Sequence, residues 1–292
     1  MNIKIKFLMG LIFFYFHFLL SPALAAPLSI INNSCKCNAK KLDPLEAPKS
    51  FNFGKFKGQC IDSCKYRPVK ILSEKINKSS KLKKIRIGNI FYNQSYFQGV
   101  IPIDQFDKLE IGFEEFLPGV NHVFLKFILK ESSSELTLKD QVDQAKPILK
   151  TRSLILSPEG IPAKNQKYSL IESYLGNYIL VHRLLTGEEM SQWTQQKNHK
   201  VRFHPLNIST EQVSKILLQS ILESETKDFE NLYQLFSNNC STTSLGLIHS
   251  ELEIFSSKKP HFWNTFETGL PFAGPIGVLR VLSSQNLIQK NK

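Results

Sequence analysis

The chain has 292 residues, 22 of them phenylalanine, and a net charge of +12. That much apolar material in a chain this long can fill a sizeable core, which excludes a disordered or fibrous protein. The positive excess is spread along the chain and is densest at Lys81-Leu82-Lys83-Lys84-Ile85-Arg86, so by itself it marks a solvated basic face or attraction to an anionic surface.

The N-terminus sets the compartment. Lys4 and Lys6 precede an apolar run from Phe7 to Leu20, and the small residues Ala23 and Ala25 follow. This is the pattern of a cleaved signal peptide over residues 1–25; the run is short for a membrane anchor. No cysteine stands at the cleavage point, and no later segment reaches the length of a membrane span. The expected protein is exported and periplasmic, soluble or peripherally bound to an anionic membrane, and nucleic acid is not an expected partner.

Residues 26–80 are rich in lysine, proline and asparagine and lack apolar periodicity. They carry Cys35, Cys37, Cys60 and Cys64. In an oxidising compartment these four are expected to form two disulfides rather than a zinc site, leaving Cys240 free. A bridge from Cys35 to Cys37 is disfavoured by its short loop. The spacing leaves the partners otherwise open. Each bridge should stabilise this region by roughly 3 kcal/mol.

From residue 81 to 292 the texture is that of a folded domain. Ile85–Tyr92, Val120–Leu129 and Ser153–Leu156 read as strands, and Tyr178–Leu185 and Val201–Leu206 as weaker ones. Ser209 and Gln212 make a capping-box pattern ahead of the stripe Val213, Ile216, Leu217 and Ile221. A second helix is expected to start at Cys240, after the caps Asn238 and Asn239, with Leu245, Ile248, Leu252 and Phe255 at helical spacing. The turn signals Leu270-Pro271 and Gly274-Pro275 close the chain. The class is α+β, with an antiparallel sheet and helices packed on it. Trp193 and Trp263 read as core residues.

The chemistry centres on Cys240. A helix N-terminus offers unpaired N–H donors and a positive dipole end, and both favour the thiolate, the nucleophilic form. The bland alternative is a buried cysteine acting as a small hydrophobe. A nucleophile needs a base. His249, nine residues on, would lie on the opposite face of the same helix. His122 is the better candidate, because it sits at the start of the strongest strand, after the loop Phe116-Leu117-Pro118-Gly119. His182, His199, His204 and His261 have weaker contexts. Ser153, Ser157 and Glu159 on the next strand could each orient His122. No cofactor or metal is expected.

These motifs together, Asn121-His122-Val123-Phe124-Leu125-Lys126-Phe127 followed by Asn239-Cys240-Ser241, resemble the Lnb N-terminal periplasmic domain family. Its His-x-Phe-Leu-Arg motif is matched by His122, Phe124, Leu125 and, with the charge kept, Lys126; its Asn-Cys motif is matched by Asn239 and Cys240. The resemblance spans roughly residues 110–255. It implies a circularly permuted papain-like, NlpC-like fold with histidine ahead of cysteine, and Asn239 and Lys126 near the site. It further implies a thiol acyltransferase or thioester-forming hydrolase, with an acyl-bearing lipid, lipoprotein or cell-wall component as substrate. Acyltransferases of the family carry membrane-spanning helices after the periplasmic domain, and none is expected here. Two other expectations stand beside it. One is a cell-wall peptidase of the NlpC type using the same pair, and the other a non-catalytic envelope-binding protein on the same scaffold.

Overall fold

The structure is a computed structural model; it describes residues 35–37, 43–46, 49–72, 83–117, 120–227, 229–235, 237–252 and 275–288. The signal-peptide pattern, Lys81 and Leu82 of the basic patch, His261, Trp263, Phe255 and the turn signal Leu270-Pro271 lie outside these residues.

In chain order the elements are β1 (Lys70–Ile71), β2 (Lys84–Tyr92), β3 (Ser95–Pro102), β4 (Phe106–Leu117), β5 (Val120–Leu129), β6 (Leu136–Asp140), β7 (Leu149–Thr151) and β8 (Ser153–Ile161). Then follow α1 (Leu170–Tyr174), β9 (Tyr178–Thr186), α2 (Gly187–Lys197), β10 (Lys200–Pro205), α3 (Thr210–Lys227), β11 (Leu232–Tyr233), α4 (Cys240–Leu252) and α5 (Pro275–Ser284). The strands form one sheet in the order β10-β4-β5-β8-β9-β2-β3-β6-β7, with β1 on β2 and β11 on β9. The fold is therefore α+β, as the sequence implies. The expected antiparallel sheet is corrected in one place: β2 runs parallel to β9 at Ile90↔Leu184 and Phe91↔Leu185, so the sheet is mixed. The reason lies in a bulge. The β2–β3 register shifts between Ile87 and Ile90, and Asn89 takes a positive φ of 61°. Ahead of the bulge the free edge of β2 takes β1, and after it the same edge takes β9.

One sheet face carries the main core. Val123, Leu125 and Phe127 of β5 and Leu154 and Leu156 of β8 pack against Val213, Ile216, Leu217 and Ile221 of α3 and Leu245 and Ile248 of α4. At about 1.5–3 kcal/mol per fully buried large apolar side chain, this layer is the main source of stability. The predicted capping box of α3 is formed in both directions: Gln212 N–H donates to Ser209 Oγ (3.3 Å), and Ser209 N–H to Gln212 Oε1 (2.8 Å). On the opposite face Phe124, Ile155 and Leu185 meet Phe91, Tyr96 and Met190. Trp193, expected in the core, instead stands 46% exposed on α2, with its indole N–H bonded to Glu114 Oε1 (3.0 Å).

The four N-terminal cysteines pair as Cys35–Cys60 and Cys37–Cys64, which excludes a zinc site there. The stapled residues are not packed apart from the sheet. Phe51, Phe56 and Ile61 share a core with Ile161, Tyr178, Ile179, Val181 and Tyr233, and the described residues belong to one compact unit. The composition change near residue 80 is thus a change of texture within one packing unit.

Candidate active site

The site lies where two neighbouring strands part. The β5–β8 ladder runs from Ile128↔Ser153 to Leu125↔Leu156 and stops there. Beyond that point β5 stays with β4 and β8 stays with β9. In the same register Val123 would face Pro158, which has no N–H to contribute to a ladder. The start of α4 enters this fork.

Cys240 is the first residue of α4 and the free cysteine of the described chain. Asn239 caps the helix: its Oδ1 accepts from the N–H groups of Ser241 (2.9 Å) and Thr242 (3.0 Å). The capping residue is thus polar for a structural reason, and it fixes the sulfur at the helix end. Three groups address that sulfur. They are the His122 ring, the Val123 backbone N–H and the Tyr233 hydroxyl at 3.7 Å. Tyr233 reaches it because Gly160 lies beneath the phenol ring; a Cβ there would stand 2.6 Å from it.

His122 bridges the sulfur to a polar chain. Its Nε2 lies 2.7 Å from Ser157 Oγ, which leaves Nδ1 for Cys240. Ser157 Oγ donates to Glu159 Oε1 (2.9 Å), and Arg183 Nη1 donates to both Glu159 oxygens (3.0 and 2.9 Å). Arg183 in turn lies over the rings of Phe91 (4.7 Å) and Tyr66 (5.2 Å). The cation is thereby held between aromatic faces and a bidentate carboxylate.

The electrostatics favour an ion pair. Burial opposes the Cys240 thiolate, but the His122 hydrogen bond and charge, the Val123 N–H and Tyr233 outweigh it, and the thiol pKa is lowered. Burial likewise opposes the His122 cation. The bond to Cys240, the thiolate charge, and Glu159 and Glu114 behind it raise the imidazole to about 9. Burial first, then Glu159, push the Tyr66 phenol up to about 12. Burial and the Cys240 charge hold Tyr233 well above its ordinary value.

Of the sequence candidates, Cys240, His122, Ser157 and Glu159 are brought into one connected chain. Ser153 is not: it stands at the far end of β8 against Gly187, whose added Cβ would meet Ser153 Oγ at 2.0 Å. Lys126 is also engaged elsewhere, with Glu110 (3.1 Å) and over the Phe203 ring (4.4 Å). His249 reaches Gln285 (2.9 Å), His199 bonds Glu114 (2.6 Å), and His204 meets the Phe113 ring edge to face. Sequence reasoning missed Tyr233, Arg183, Tyr66 and the Val123 N–H. The one legible signal was Pro158 inside a strand pattern, which marks an interrupted ladder.

The fold and site define a class: an α+β domain with a helix-start cysteine set against a strand histidine. A family model described as the Lnb N-terminal periplasmic domain matches residues 121–285, more than half of the chain. The chain belongs to the Lnb N-terminal periplasmic domain family. No curated protein and no solved structure matches it. A periplasmic family agrees with the export pattern at the N-terminus. Among the described residues no helix is long and apolar enough to cross a membrane.

Proposed function

We propose that this chain is an exported thiol acyltransferase or thioester-forming hydrolase, built as a permuted papain-like domain, with Cys240 as nucleophile and His122 as base. The observation that carries the reading is the hydrogen-bonded pair itself, Cys240 to His122, with the far nitrogen of the ring held by Ser157. A thiol buried as a mere hydrophobe would have its pKa raised, whereas this one is lowered. Lys126, placed near the site by the motif resemblance, has no part in this proposal.

In the resting pair the proton sits on His122 and the charge on sulfur. The thiolate attacks an acyl carbonyl carbon, forming the C–S bond, and the His122 cation donates its proton to the departing alkoxide. That leaves a thioester on Cys240 and a neutral imidazole. An incoming amine, hydroxyl or water gives its proton to His122 as it attacks the thioester carbon. The C–S bond then breaks and the thiolate–imidazolium pair is restored. Ser157, Glu159 and Arg183 are positioning residues: they touch the ring or each other and hold Nδ1 toward the sulfur.

The test is incubation with an activated acyl ester, followed by mass spectrometry of the intact chain and its Cys240 peptide. A hydroxylamine-labile acyl group on Cys240 is expected. It should be absent from Cys240→Ala and strongly reduced in His122→Ala. Acylation that persists in Cys240→Ala would refute the assignment. Release of cleaved stem peptides from purified peptidoglycan would instead assign the pair to amide hydrolysis, the peptidase alternative.

A further inference from the structure

Ten large hydrophobic residues stand exposed among the described residues, and five of them fall within eight consecutive positions. They are Tyr168 (48%), Leu170 (37%), Ile171 (70%), Tyr174 (58%) and Leu175 (59%). The segment is well anchored. Ser169 N–H donates to the Tyr178 hydroxyl (2.6 Å), which donates back to Ser169 O (3.1 Å). Leu175 N–H bonds Ile171 O, Asn177 N–H bonds Glu172 O, and Asn177 Nδ2 bonds Glu172 Oε2 (2.7 Å). A backbone so fully bonded holds the apolar side chains outward, and a patch of this density marks an interaction surface.

Its surroundings identify the partner. Segments 49–60 and 163–178 meet where Lys55 pairs with Glu172 and where Gly54 approaches Asn177. Together they carry the lysines Lys49, Lys55, Lys57, Lys164 and Lys167 against the single carboxylate Glu172. Apolar side chains carried on two touching segments rich in lysine suit the boundary between anionic headgroups and acyl chains. A protein groove would offer the apolar residues a mate but gives no reason for five lysines against one carboxylate around them. The patch also begins near the nucleophile: the Tyr168 ring lies 5.0 Å from that of Tyr178, whose strand partner Tyr233 reaches Cys240 Sγ at 3.7 Å.

We infer that residues 168–175, with the lysines of these two segments, are a docking surface for an anionic lipid bilayer, set near the Cys240 site. The inference takes its purpose from the acyl-transfer reading, but its test does not use the thiol. The full chain carrying Cys240→Ala and Ile171→Cys is labelled at residue 171 with an environment-sensitive fluorophore. It is titrated with phosphatidylcholine vesicles with and without phosphatidylglycerol. The emission should shift to the blue on phosphatidylglycerol vesicles. The same label at Val142→Cys, another exposed apolar site, should stay aqueous. Lys164→Glu with Lys167→Glu should raise the vesicle concentration needed by about tenfold or more, since each lysine near such a surface contributes roughly fivefold. Leu175→Ser should weaken binding by about tenfold. No shift at residue 171, or an equal shift at residue 142, overturns the inference. A shift without vesicles that grows with protein concentration also overturns it, because a second copy would then be the occupant.

Discussion

Two of the buried polar clusters among the described residues differ in how they end. In the stapled region Arg67 Nε donates to Ser63 O (2.7 Å), and its guanidinium pairs with Asp43 and with Glu46 (3.8 Å). Glu46 also accepts from Ser63 Oγ and from Cys37 N–H, so the carboxylates are used up among themselves and the cation stacks on Tyr96 at 4.1 Å. On the sheet the chain Arg183–Glu159–Ser157–His122 is tied just as firmly at one end, yet its other end is a sulfur. Burial and charge are common to both clusters. Only the second ends on a group that can form a new covalent bond. A closed cluster holds structure; a cluster terminated by a nucleophile holds chemistry.

The sharpest way to break that contrast is His122→Ala. Acylation of Cys240 should fall by about three orders of magnitude, within the usual range for a lost general base, while the fold is kept. In the same variant the thiol loses its cation and keeps its burial, so its titration should move above the free-cysteine value of about 8.5. In the native chain, alkylation of Cys240 by a small reagent should reach its plateau below that value, because the thiol pKa is lowered. The two ionisations also predict the pH dependence of stability. The His122 contribution is present below its ordinary 6.5 and fades as pH rises through about 9. The Cys240 contribution is present above the ordinary thiol value and is lost as pH falls through the lowered one. Where both groups titrate, above 6.5 and above the lowered thiol value and up to about 8.5, the two slopes oppose and cancel, and from there stability from this pair should fall as pH rises through about 9. A denaturation series from pH 5 to 10 checks it; a steady slope through that window would mean the groups do not share a proton.

Arg67→Ala tests the other cluster. It leaves two buried carboxylates without their cation and should cost about 3–5 kcal/mol in denaturant unfolding. The acylation rate per folded molecule should not change. A selective loss of Cys240 reactivity would show that the two clusters are one.

Ser157→Ala comes next in size. The hydroxyl holds the ring by one bond, so acylation should drop by about tenfold to a hundredfold, with little change in stability. Ser157→Thr, which restores a hydroxyl, should recover part of the rate. Ser153→Ala should do neither, and an equal effect of Ser153→Ala would break the proposed chain of contacts.

The smallest effect is expected from Gly160→Ala. The added Cβ would meet the Tyr233 ring at 2.6 Å and push it away, at a cost of about 1–3 kcal/mol. Removing its hydroxyl from Cys240 should shift the thiol titration upward. An unshifted titration would mean that Tyr233 does not act on the sulfur.

Much of this was legible in local pattern. Val120–Leu129 reads as a strand with the bounds observed, because Val123 to Leu125 are buried on both faces and leave no helical period. The Ser209–Gln212 box and the cap at Asn239 follow from side-chain bonding within three residues. The unpaired cysteine follows from counting five. The strands β3 and β4 were not seen, because Gly99, Asp107, Glu110 and Gly112 interrupt their apolar pattern. Gly112 is itself explained only by packing, since an added Cβ would meet the Phe124 ring at 2.3 Å.

The third member of the site shows where local information ends. Ser153, Ser157 and Glu159 lie at odd positions of one strand and share a face, so a period of two cannot choose among them. The choice is made by where the β5–β8 ladder stops, which sets Ser157 against His122 and leaves Ser153 at Gly187. The parallel pairing of β2 with β9, the reach of Tyr233 over Gly160 and the stacking of Arg183 on Tyr66 are of the same kind. Periodicity, capping and cysteine count act over a few residues of chain, so local pattern alone determined the export signal, the strongest strands and helices and the nucleophile candidate. Strand partners and side-chain neighbours are set by packing between segments tens of residues apart, and only the tertiary structure decided how that nucleophile is held.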